Sequence, residues 1–92
     1  MAKATITQIV DDVKQVLPIY DTTLYDVELN MLVQGAMNKL ENEGVENKFD
    51  YQTPAYYDYI TCIRYQVACD MDLDIDIERL KAQYVTRVNT LR

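Results

Sequence analysis

The chain has 92 residues, 49% of them hydrophobic and 26% charged, a balance that favours a folded protein over a disordered one. Fifteen acidic residues against nine basic ones give a net charge of −6, which disfavours a freely accessible nucleic-acid-binding surface, since phosphate affinity comes from Lys and Arg. With only two glycines and two prolines there is little material for hairpins, and the composition points to helices.

The first predicted element runs over 5–17. Thr5 and Gln8 have capping-box spacing, and Ile6, Ile9, Val10, Val13, Val16 and Leu17 form one stripe opposite Gln8, Asp11, Asp12 and Gln15. Pro18 stops it by pushing Leu17 out of the helical region. A second helix is expected over 23–43, with Thr23 and Asp26 repeating the capping-box spacing and Gly44 as a left-handed cap followed by Val45. Its wheel carries two apolar stripes. Tyr25, Leu29, Leu32, Val33, Ala36 and Leu40 make a broad core face. Leu24, Val27 and Met31, continued by Gly35, make a second stripe, set apart by Glu28 and Lys39. Two stripes mean two neighbours: two helices of the same chain, as small helical domains usually arrange, or one helix and another subunit.

Residues 45–52 lack a helical period and read as an ordered loop pinned by Phe49 and Tyr51. Thr53 then caps a third helix over 54–71, with Pro54 at the first helical position. Tyr56, Ile60, Ile63, Val67 and Met71 share one face, yet Cys62, Tyr65 and Cys69 lie opposite, beside Asp58. A helix apolar nearly all round is surrounded by protein, so this one is expected at the centre. Ile60, Ile63, Val67, Leu29, Leu32 and Leu80 are the expected core.

Asp70, Asp72 and Asp74 have the alternate spacing of a calcium loop, but Ile75 stands where that loop needs Gly and Lys81 where it needs Glu. The better reading is a short turn and then acids over the positive start of a last helix, 74–90. Leu73, Ile77, Leu80, Tyr84, Val88 and Leu91 form a narrow seam along it, and Arg79, Lys81, Arg87 and Arg92 are read as complementing the dipole at its far end. The fold class expected is therefore all-α: residues 1–92 as one compact bundle of four helices, the third central.

Reactive chemistry is missing from this inventory. There is no His, and Cys62 and Cys69 lie on one predicted helix about 10 Å apart along its axis at ~1.5 Å per residue. That exceeds the ~7 Å Cα separation a disulfide tolerates, so both cysteines read as packing residues. Adjacent acids such as Asp11 and Asp12 do not share a helix face and have no evident pocket. No enzyme, no metal and no cofactor is expected. No stretch approaches the ~20 apolar residues of a membrane span, and the acids in MAKATITQIVDDVK do not suit a secretory signal.

In layout the chain resembles the small head–tail connector (head-completion or adaptor) proteins of long-tailed bacteriophages. The resemblance rests on a short first helix (TITQIVDDVKQVL), an acid-Thr start to a long second helix (DTTLYDVELNMLVQGAMNKLEN) and a glycine end with an aromatic-bearing loop (GVENKFDY). A Pro-opened third helix (TPAYYDYITCIRYQVACDM) and a final amphipathic helix complete it. One departure is that Tyr65 is followed by Gln66 and Val67, where family members often carry Asn-Arg-Glu-like residues. The resemblance implies a structural virion protein of the neck, made in the bacterial host cytoplasm. Copies, typically twelve, would form a ring under the portal protein, lengthen the DNA channel and dock a further neck or tail-completion protein. Duplex DNA would pass an acidic lumen without specific binding. Leu24, Val27, Met31 and Tyr65 are the candidate subunit-interface residues. Two other classes fit the same residues: an acidic helical regulator, such as an antirepressor or DNA mimic, and a helical interaction module of a larger cellular complex.

Overall fold

The computed structural model of the protein describes residues 3–19, 21–73 and 76–92. Among them are four helices: α1 (Ile6–Gln15), α2 (Asp26–Asn42), α3 (Pro54–Met71) and α4 (Ile77–Leu91). The only ladder contact among the described residues is an isolated antiparallel bridge between Lys3 and Asp50. The fold is all-α.

Local chemistry explains most of the boundaries. The α1 capping box is complete: the Thr5 hydroxyl accepts from the Gln8 amide at 3.2 Å, and Gln8 Oε1 accepts from the Thr5 amide at 2.9 Å. The helix ends at Gln15, two residues before its expected end. Val16 and Leu17 donate instead to Val13 and Lys14, three residues back, tightening the chain into the turn that precedes Pro18.

The expected capping box of α2 does not form. The Thr22 hydroxyl accepts from the Leu24 amide at 3.2 Å, and the Asp26 amide donates to the Thr23 carbonyl. This local turn holds residues 22–25 outside the helix, so α2 begins at Asp26 after an N-cap Tyr25 that gives no side-chain cap. At the other end Gly44 takes φ +92°. The Val45 amide reaches the Leu40 carbonyl at 2.8 Å and the Gly44 amide reaches Glu41 at 3.0 Å, the paired bonds of a Schellman ending. Val45 is fully buried, as its place after the cap requires.

Thr53 and Pro54 open α3 as expected, the Thr53 hydroxyl accepting from the Tyr56 amide. The helix closes with the same paired bonds, Leu73 to Ala68 and Asp72 to Cys69, but with Asp72 in the left-handed position at φ 52°. Asp72 is thus a helix cap. Asp74 and Ile75, part of both the rejected calcium loop and the expected start of the last helix, lie outside the described residues. The described part of α4 begins at Ile77, with the Asp76 carboxylate accepting from the Arg79 amide at 3.1 Å.

α3 packs against each of the other three helices, and α1 also packs on α2. Its buried residues (Tyr56, Tyr59, Ile60, Cys62, Ile63, Gln66, Val67, Ala68) spread around more than half of the axis, as a central helix requires. α1 adds Ile9 and Val13 to this core, α2 adds Leu29, Val33, Ala36 and Leu40, and α4 adds Leu80 and Val88. Loop 45–52 is pinned by its aromatics: the Phe49 ring lies 5.3 Å from Tyr59, and Tyr51 meets Tyr56 edge-on at 5.2 Å.

Four expectations about side chains need correction. Leu32 is half-buried, at the margin of the α2 core face. Tyr25 is 37% exposed, because the late start of α2 leaves it on the capping turn. Cys69 is exposed near the end of α3, whereas Cys62 is buried. Finally, Arg79 lies in the first turn of α4, with Lys81 directly after it, and the last turn of that helix carries no basic residue.

Candidate interaction surface

The two stripes of α2 have opposite fates. Leu29, Val33, Ala36 and Leu40 are buried against the bundle, whereas Leu24, Val27 and Met31 are 78%, 79% and 70% exposed. The reading in which helices of the same chain cover both stripes is therefore overturned. Val27 and Met31 stand four apart on one face of α2, and Leu24 is exposed on the turn that precedes the helix. Gly35 prolongs the face with no side chain, and a Cβ built there meets nothing within 4 Å. These exposed apolar side chains make a candidate interaction surface.

Carboxylates edge this surface. Asp26 is held by Lys14 of α1 at 2.6 Å, a pair that ties the start of α2 to α1. Exposed Glu28 stands next to Val27 and three residues before Met31, at the edge of the stripe.

Tyr65, the fourth candidate, is placed differently. It is half-buried, with its ring centroid 4.8 Å from that of Tyr84 on α4. The structure thus puts Val27 and Met31 on one exposed face of α2, leaves Leu24 exposed on the turn before it, and sets Tyr65 apart, at the α3–α4 contact.

Polar links that the hydropathy pattern does not reveal lock the helices behind the stripe. The buried Tyr56 hydroxyl donates to the Asp12 carboxylate, joining α3 to α1. Gln66 Nε2 donates to the Tyr84 hydroxyl at 2.8 Å, and that hydroxyl donates to Glu43 Oε2 at 2.7 Å, joining α3, α4 and the end of α2. Arg92 Nε donates to the Glu43 backbone carbonyl at 2.9 Å, satisfying an acceptor at the α2 terminus. Arg87 lies 3.1 Å from Asp58. The one clue to the network in the sequence is Gln66 itself, a polar residue three places from Ile63 on an otherwise apolar side.

The buried phenols and the buried thiol of this interior are held in their neutral forms. Burial, and then the bond to Asp12, push the Tyr56 phenol well above its usual range, and burial followed by the Glu43 contact does the same for Tyr84. Burial raises the Tyr59 phenol to about 12 and the Cys62 thiol to about 12. A neutral, enclosed thiol is a packing group and not a nucleophile. Among the described residues no three His, Cys, Asp or Glu side chains are gathered to hold a metal ion.

Residues 9–90 match the phage connector protein family, and the chain belongs to that family. Its role is structural and not enzymatic: it is a head–tail connector of the virion that contacts other phage head or tail proteins. No curated protein and no solved structure gives a match. No helix among the described residues is long and apolar enough to cross a membrane.

Proposed function

We propose that the protein assembles as a ring, typically of twelve copies, beneath the portal of a DNA-filled head. There it lengthens the DNA channel and presents a docking surface for the next neck or tail-completion protein. The observation that carries this reading is the exposed row Leu24–Val27–Met31 on a chain of the connector family. Three large apolar side chains kept in water at and just before the start of one helix are favoured only if something covers them in the working state. Neighbouring copies in a ring would do so. Such contacts are heterologous, one patch on each subunit meeting a different patch on the next.

The net charge of −6 fits the same role. A lumen lined by carboxylates repels DNA phosphates, so the duplex slides through without being held. Virion location, with synthesis in the bacterial host cytoplasm, follows from this reading.

The test is the mass of the assembly formed by the full chain with purified portal. A stable complex carrying many copies per portal is expected. Wild-type protein that shows no affinity for portal, whether isolated or in DNA-filled heads, would overturn the reading.

A further inference from the structure

Arg64 of α3 and Arg79 of α4 line one cleft, together with Asp76, Leu80 and Gln83. Two arginines thus line one cleft in a chain that is acidic as a whole. Arg64 makes no ion pair among the described residues and has a buried Nε without an acceptor; Arg79 likewise has no carboxylate within salt-bridge distance. Among the described residues Asp76 is the acid lining the cleft, and its Oδ1 already accepts from the Arg79 backbone amide as the α4 cap. The placement of Arg79 is locally unfavourable, because a cation in the first turn faces the positive end of the helix dipole. A side chain that helix electrostatics disfavours at its own position suits a partner from elsewhere. The sites an arginine pair fits best are carboxylates.

A matching acid stands on the apolar row of α2. Glu28 is exposed, has no ion pair among the described residues, and lies between Leu24 and Met31. The row and the cleft belong to different parts of the bundle: α4 rests on α3, whereas the row occupies the N-terminal part of α2 that is tied to α1. One chain therefore carries both halves of a complementary contact, on different elements and not paired with each other among the described residues.

Resting on the ring reading above, we infer that the Leu24–Val27–Met31 row of one copy, led by Glu28, docks on the Arg64–Arg79 cleft of the next copy. The occupant of each half is a second copy of this chain. The arginine stems and Leu80 offer apolar cover to the row, and the guanidinium groups receive the carboxylate. Because the two halves differ, the contact is head-to-tail and propagates around a ring instead of closing as a pair.

Charge reversal tests the pairing on the full chain assembled with portal. Arg64→Glu with Arg79→Glu should weaken assembly by roughly tenfold or more while circular dichroism stays as in wild type. Adding Glu28→Arg to Arg79→Glu should restore assembly, since the pair is then exchanged and not merely lost. A second measurement places a thiol cross-link: in a Cys69→Ser background, a chain with both Glu28→Cys and Arg79→Cys should give a ladder of linked multimers. Each single variant should give no ladder.

Normal assembly by the folded Arg64→Glu, Arg79→Glu chain would overturn the pairing. So would cross-linking of Arg79→Cys to portal or another phage protein in place of a second copy. In both cases the ring reading survives provided that the wild-type chain forms multimers with portal. If wild-type protein forms no multimer with portal, the ring reading fails and this pairing with it.

Discussion

The Tyr84 hydroxyl lies 2.7 Å from Glu43 Oε2 and 2.8 Å from Gln66 Nε2, so one phenol of α4 joins the end of α2 to the middle of α3. The oxygen both gives and receives a hydrogen bond, leaving neither the half-buried phenol nor the buried amide of Gln66 unsatisfied. Tyr84→Phe keeps the stacking on Tyr65 and removes only that oxygen. A hydrogen bond to a charged acceptor is lost and a buried amide is stranded, so a destabilisation of about 1–3 kcal/mol is expected in urea unfolding. An unchanged midpoint would show that the junction contributes nothing.

Ile63 is fully exposed to protein on every side and to solvent on none. Ile63→Ala should destabilise the bundle by roughly 2–5 kcal/mol, through lost burial and the cavity left in a helix that touches all three others. A loss below about 1 kcal/mol would mean that the neighbours collapse into the space and that α3 is not closely packed there.

Alkaline stability follows from the buried phenols and thiol. Tyr59 is raised to about 12 from an ordinary 10.0, and Cys62 to about 12 from an ordinary 9.0. The folded state holds these protons more tightly than the unfolded chain. Their stabilising effect is thus whole below the ordinary values and is lost as pH climbs toward the raised ones. Unfolding free energy should fall between about pH 9 and about pH 12. Tyr59→Phe should reduce that fall, and near neutral pH it should be neutral or stabilising. The Tyr59 hydroxyl is buried without a hydrogen-bond partner among the described residues. A steeper alkaline loss in the variant would contradict this account.

Much of this fold is legible in periodicity and punctuation. Thr53-Pro54 and Gly44-Val45 act through backbone chemistry confined to a few neighbouring residues, and α3 and the end of α2 fall where those residues place them. The start of α2 was not legible, because Thr22 and Thr23 can serve a turn as readily as a cap and only the surrounding packing chooses between them. The candidate surface shows the same limit in another form. A wheel finds two apolar stripes but cannot say which one lacks a neighbour, since that depends on where α1 and α3 finally lie. Pairings such as Tyr56 with Asp12, 44 residues apart, leave no periodic trace at all.

Val27 tests the central claim most directly. Its side chain is 79% exposed, so Val27→Asp should leave unfolding free energy within about 0.5 kcal/mol of wild type. In a subunit contact the same carboxylate would be desolvated beside apolar groups, at a cost large enough to prevent association. The decisive measurement is the mass of the portal complex formed by wild type and by Val27→Asp, with folding of the variant verified by circular dichroism. The account predicts a multi-copy complex for wild type and none for the folded variant. A folded Val27→Asp chain that loads portal with as many copies as wild type would contradict it.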